Sequence, residues 1–135
     1  MPMTKNQKFE YWLEIAEYDL KSAQTMLAAK QWLHVSFMCQ QAIEKLVKGL
    51  HTLYLDEEIP KIHNITNLLN RFAEYLPTTV PNLMADLFDE LSIYYINNRY
   101  PDYKNHLKEK LDKQTATQLH HQTKEAFKWL LTLKP

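Results

Sequence analysis

With 135 residues, 16 basic against 16 acidic side chains and a formal net charge of zero, the chain is the length of one domain and lacks the charge excess that general polyanion binding requires. Its single glycine, Gly49, excludes the Gly-rich loops of P-loop and dinucleotide-binding proteins and disfavours hairpin-rich β folds. The lone Cys39 excludes a disulfide framework and, within an apolar helical pattern, reads as a buried free thiol. The N-terminal residues carry no apolar signal-peptide core, and no stretch is long and apolar enough to span a bilayer, so the expectation is a soluble cytoplasmic protein with no membrane contact.

Helical periodicity accounts for most of the chain. A first helix is expected from Asn6 to Ala29, with Phe9, Leu13, Ala16, Leu20, Ala23 and Leu27 on one stripe and Trp12 widening it. A second runs from Leu33 to Leu55. Val35, Met38, Cys39, Ala42, Leu46, Leu50 and Leu53 form its main face, and Phe37, Ile43, Val47 and Tyr54 form a second flank, so it is contacted on two sides. The short link around Lys30-Gln31-Trp32 forces an antiparallel pair. After the polar loop Asp56–Lys61, Asn64 is placed to cap a shorter helix carrying Ile65, Leu68, Leu69 and Phe72. Pro77 and Pro81 bracket the next break. The helix that follows shows Leu83, Leu87, Leu91 and Tyr95 at steps of four, and is expected to run until Pro101 stops it. Thr115 and Gln118 form a candidate capping box for a last helix carrying Leu119, Ala126, Phe127, Leu130 and Leu133. No repeat or linker divides the chain. The predicted architecture is a single all-α domain over residues 1–135, an up-and-down bundle of about five helices framed by four long ones.

Residues 99 to 106, Arg-Tyr-Pro-Asp-Tyr-Lys-Asn-His, concentrate polar chemistry in one short stretch. An arginine offers phosphate a planar fork of donors, and a histidine moves a proton near neutral pH. The bland alternative is a surface turn in which Pro101 stops one helix and Asp102 caps the next.

The first helix reads Trp12-x3-Ala16-x2-Asp19-Leu20-x2-Ala23, and the second Trp32-x4-Phe37-x-Cys39-Gln40-Gln41-Ala42-x-Glu44-Lys45-x2-Lys48. His63 opens the third, and Arg99-Tyr100-Pro101-Asp102 closes the fourth. This succession resembles the HEPN domain, the higher eukaryotes and prokaryotes nucleotide-binding domain, over most of the chain. The resemblance implies a helical bundle that forms homodimers and works beside a separate minimal nucleotidyltransferase, the two behaving as a toxin–antitoxin pair. It also implies, for many members of the wider family, a metal-independent ribonuclease built on Arg-x4-6-His. Here Arg99, six intervening residues and His106 fit the outer limit of that spacing, with Pro101 inside it.

If the nuclease reading holds, His106 moves the proton of a ribose 2′-hydroxyl or of the leaving oxygen, and Arg99 stabilises the transition-state charge. Tyr100 or Tyr103 offers a stacking platform for a base, and Asn105 and Asp102 complete the polar cluster. Glu44 and Lys48 stand at i,i+4 spacing, which reads first as a solvated pair worth about a few tenths of a kcal/mol. The functional alternative makes Lys45 and Lys48 a positive edge for phosphate beside Arg99. Gln40 and Gln41 lie among apolar neighbours, and a buried amide must find partners, so at least one should tie the second helix to another helix. His63 reads as a polar helix-entry residue. The six histidines and single cysteine form no metal-binding signature, and no cofactor is implied. No Gly-Ser pair followed by paired aspartates occurs, so nucleotidyltransferase activity belongs to a partner chain. Three functions stay open: a module binding nucleotide, RNA phosphate or a partner protein; an endoribonuclease using Arg99 and His106; and a structural helical adaptor.

Overall fold

The computed structural model describes residues 2–95 and 101–135, with residues 101–104 and 107 described only as part of their helix. The described residues form six α-helices and no strand. Helix α1 spans Lys5–Ala28. Its start is fixed by a reciprocal cap: Thr4 Oγ1 accepts from the Gln7 amide (3.1 Å), and Gln7 Oε1 accepts from the Thr4 amide (2.9 Å). Phe9, Ala16 and Ala23 are fully buried along it, with Leu13, Leu20 and Leu27 packed beside them. Helix α2, Trp32–Tyr54, runs antiparallel to α1. The two approach closely at Gly49, where a Cβ would stand 3.1 Å from both Phe9 Cδ2 and Trp12 Cβ. The link between them is a Schellman turn. The Gln31 amide donates to Met26 O (2.9 Å) and the Lys30 amide to Leu27 O (3.1 Å), with Lys30 in the left-handed region at φ 61°.

Helix α2 is the central element, packed by α1 along one side and by α6, α3 and α4 along others. Both of its predicted apolar flanks contribute buried residues: Val35, Cys39, Ala42, Leu46 and Leu50 on one, Ile43 and Val47 on the other. Helix α3, Ile65–Asn70, begins where expected, with Asn64 Oδ1 accepting from the Asn67 amide (2.9 Å). A short 3-10 turn, Ala73–Tyr75, leads towards α4, Asn82–Ile93. Helix α5 spans Pro101–Lys110, and α6 spans Lys113–Leu131. Leu119, Ala126, Phe127, Leu130 and Leu133 are all buried, so the predicted stripe of the last helix is the one that packs. The Tyr54 hydroxyl donates to the carbonyl of Leu133, tying the end of α2 to the chain beyond α6.

The structure departs from the sequence expectation in its second half. Helix α4 ends at Ile93, and Tyr95 is already non-helical, well before Pro101. The run Ile93-Tyr94-Tyr95 is β-branched and aromatic, with weak helix propensity, and the Tyr95 ring is engaged elsewhere. Pro101 is the first residue of α5, a position where its missing N–H costs no helical bond, and not the stop of α4, whose last residue is Ile93. Asp102 therefore lies inside α5 instead of capping it. Leu83, expected in the core stripe of α4, sits in its first turn and is 84% exposed; Leu87, Phe88 and Leu91 carry the packing. Asp112, not Thr115, caps α6, its carboxylate accepting from the Thr115 amide (2.8 Å). That bond holds the Asp112 carboxyl below the usual carboxylate range. No helix among the described residues is long and apolar enough to cross a membrane.

Candidate functional site

One face of α2 carries Gln40, Gln41, Glu44, Lys45 and Lys48, whose i,i+4 spacing stacks 40 on 44, 41 on 45 and 44 on 48. The structure turns this ladder into a network centred on Glu44, which is 1% exposed. Glu44 Oε1 accepts from Gln40 Nε2 (2.8 Å) and from His63 Nδ1 (3.1 Å), while Oε2 accepts from Lys48 Nζ (3.0 Å). Lys45 Nζ lies 3.8 Å from Oε2 and donates to Gln41 Oε1 (2.8 Å); Gln41 Nε2 in turn donates to Gln40 Oε1 (2.6 Å). Gln40 Nε2 also reaches the backbone carbonyl of His63 (3.1 Å). The tie expected to another helix is made instead to the non-helical segment that precedes α3.

His63 is held from several directions. The turn before it is closed by the Ile62 amide on Pro60 O (2.9 Å). After it, the Ile65 amide donates to Ser92 Oγ (3.0 Å) and Thr66 Oγ1 to Asp89 Oδ1 (2.5 Å), pinning the start of α3 to α4. Tyr95 then lays its ring on the imidazole, centroids 4.0 Å apart and planes 10° from parallel, and Phe37 meets Tyr95 at 6.4 Å. The Glu44 carboxylate accepts, so Nδ1 is the ring nitrogen that donates to it. Asp19 of α1 lies within electrostatic reach of this group: burial lifts its carboxyl above the ordinary range, with Lys45 opposing and Glu44 adding to the rise.

The HEPN domain family model matches residues 9–133. The chain belongs to the HEPN domain family. Two solved structures share the fold. The protein TT1696 from Thermus thermophilus is 26% identical, with a TM-score of 0.76 over 93% of this chain and 97% of its own. The protein ST0689, described as an archaeal HEPN homologue, is 25% identical, with a TM-score of 0.71 over 94% of this chain and 98% of its own. No curated protein matches the sequence.

In this HEPN domain the sequence-predicted site residues fall into three groups. Arg99 and Tyr100 lie outside the described residues, as do the side chains of Asp102 and Tyr103 on α5. Asn105 and His106 are exposed on α5. Lys45 and Lys48 are brought together by Glu44. The Glu44–Lys48 pair is not the solvated surface pair that its spacing alone suggests. The Lys48 side chain is only 10% exposed, and its ammonium lies 5.9 Å from the Trp12 ring centroid, because α1 covers this part of α2. Lys45 keeps 21% of its side chain open. Among the described residues no group of three or more His, Cys, Asp or Glu side chains is arranged to hold a metal ion. Sequence reasoning missed the contact of His63 with Glu44 and Tyr95. Gln40 and Lys48 already supply Glu44 with donors from its own helix, so nothing in the sequence says that residue 63 adds another.

Proposed function

We propose that this HEPN domain recognises phosphate, holding a nucleotide or an unpaired RNA strand on the face where the Glu44 network meets the chain following α4. The observation that carries the reading is the buried Glu44 carboxylate, which gathers Lys45, Lys48 and His63 at one place beside Tyr95. Arg99 follows Tyr95 by four residues, so covalent geometry keeps its Cα within at most about 14 Å of that of Tyr95. With zero net charge, affinity for a polyanion must come from such a local cluster. Arg99, Tyr100, Asp102, Tyr103 and Asn105 extend the binding face, and the domain acts as a homodimer beside a separate minimal nucleotidyltransferase of the toxin–antitoxin kind. The test is binding of mononucleotides and of a short unstructured RNA by wild type and Arg99→Ala. Loss in the variant supports the reading; equal binding removes Arg99 from it, and no binding by either protein ends it.

A second reading is favoured by one observation, the exposure of His106 on α5, which leaves its imidazole free to meet a substrate. In that reading the domain is a metal-independent endoribonuclease with Arg99 and His106 as catalytic residues. RNA cleavage in EDTA, abolished by Arg99→Ala and by His106→Ala with helicity intact, supports it; intact RNA at high enzyme concentration overturns it.

A further inference from the structure

We propose that the outward face of α1 is a docking surface for an amphipathic helix of another protein, one that carries Lys or Arg beside its apolar stripe. Such docking is independent of phosphate binding at the Glu44 network.

A helix that packs on one side needs one apolar stripe, and α1 has two. Phe9, Ala16 and Ala23 are buried on the side where α1 packs against α2 and α6. Tyr11, Ile15, Tyr18 and Ser22 follow one another at steps of four, three and four and form the second stripe. With about 100° of turn per residue, this stripe stands roughly 150° from the buried one and points away from the bundle. Tyr11 is 55% exposed, Tyr18 is 74% exposed and Ile15 is half-buried. A single exposed apolar side chain, such as Leu83 on α4, needs no explanation. Two tyrosines at a heptad interval, with an isoleucine between them, form a continuous contact line. Tyrosine is enriched at protein interfaces because it offers a large surface for few rotatable bonds. Tyr11 is also steadied by an edge-on contact with Trp12, centroids 6.0 Å apart. Two shallow grooves, about 570 and about 300 Å³, share Tyr11 and Glu14 as walls; Met3, Glu10 and Glu17 line the first, and Ile15, Tyr18 and Asp19 the second. Alternating steps of four and three are the spacing by which one helix seats its side chains between those of another.

Charge selects the occupant. From Phe9 to Leu20, α1 carries four acids, Glu10, Glu14, Glu17 and Asp19, and no basic residue. The whole chain is balanced at 16 basic and 16 acidic residues, so this excess is local. Lys8 and Lys21 stand just outside the segment. In the register of the stripe, Glu14 and Asp19 border the seam on its two sides, the positions where charges pair or repel across a helix–helix contact. A second copy of this chain, docked through the same face about a two-fold axis, would bring these acids up against their own copies. A helix with Lys or Arg at its bordering positions meets them with the opposite charge. From Tyr11 to Ser22 the stripe is about 17 Å long, which a partner helix of about three turns covers.

The test uses the full chain and a synthetic peptide of about three heptads, with leucine at the seam positions and lysine bordering them. The same peptide with glutamate in place of lysine is the control. Anisotropy of the labelled peptide measures affinity, and backbone amide shifts locate the contact. The lysine peptide should bind, shift residues 10–22 of α1 and weaken as salt rises, while the glutamate peptide should not bind. Tyr18→Ala should weaken binding about tenfold or more. Combined Glu10→Lys and Glu14→Lys should abolish binding of the lysine peptide and admit the glutamate peptide. Leu83→Ser, an equally open position on α4, should leave affinity unchanged. All the substituted side chains are exposed, and circular dichroism checks that each variant remains helical. The proposal is overturned if the lysine peptide does not bind, if its shifts fall outside α1, or if Tyr18→Ala or the charge-reversed variant binds it as wild type does. It is also overturned if sedimentation shows a wild-type dimer that Tyr18→Ala dissolves, because a second copy then occupies the face.

Discussion

Removing the Glu44 carboxylate tests the centre of the network. Glu44→Ala deletes the acceptor of three donors, Gln40 Nε2 at 2.8 Å, Lys48 Nζ at 3.0 Å and His63 Nδ1 at 3.1 Å. Glu44 is 1% exposed and the Lys48 side chain 10%, so the ammonium left behind keeps little contact with water. Breaking a buried pair by removing one partner costs about 3–5 kcal/mol, mostly as the penalty on the stranded charge. Lys48 retains some exposure, which places the expected loss near the lower end, about 3 kcal/mol. For a domain of this size that is a fall in Tm of about 10 °C and a substantial part of a total stability of about 5–15 kcal/mol. Guanidinium unfolding followed by far-UV circular dichroism measures it. The decisive control is Glu44→Leu combined with Lys48→Met. If the single-variant cost comes from a stranded charge, the apolar pair should recover most of it, giving a double variant more stable than Glu44→Ala. A loss under about 1 kcal/mol in Glu44→Ala, the value of an exposed pair, would refute the claim that this network is desolvated. So would a double variant less stable than Glu44→Ala.

Three further outcomes follow from single residues. Lys30 occupies a left-handed position that glycine fills without strain, so Lys30→Gly should raise stability by about 0.5–1 kcal/mol, read from the denaturation midpoint; a loss would mean the lysine contributes something its backbone does not show. Cys39 is fully buried and its thiol is pushed up to about 11, so it should resist a thiol reagent in the native protein and react on unfolding; rapid native labelling would contradict its placement. His51 and His120 are buried with pKa values lowered, first by desolvation and then by Arg71 beside His51 and by Lys124 and His121 beside His120. The unfolded chain therefore binds these protons more readily. Their contribution is present above the unfolded histidine pKa and is lost as pH falls through it, so stability should drop between about pH 7 and about pH 5. Arg71 Nε donates to His51 Nε2 at 3.2 Å, and protonation breaks that bond. His120→Phe should flatten the dependence, and an unchanged slope would show that this ring does not carry it.

The sequence alone determined the all-α class, the four long helices and most of the core. Those conclusions depend on local periodicity and on having a single glycine, and periodicity on a helix maps directly onto which face is buried. It also determined the Asn64 cap, because an N-cap is a bond between near neighbours in the chain. Family membership was legible in the succession of motifs from Trp12 to Asp102, and the family model matches that span. The extent of α4 was not legible, because helix ends are marginal and Tyr95 is claimed by a contact with His63, which is 32 positions away. Nor was the state of Glu44 and Lys48. Their i,i+4 spacing is the same on a wet face and a dry one, and only the packing of α1 over α2 and the arrival of His63 from the α3 entry exclude water from them. The chemistry of that face is set by long-range contacts, which a pattern read along one helix does not contain.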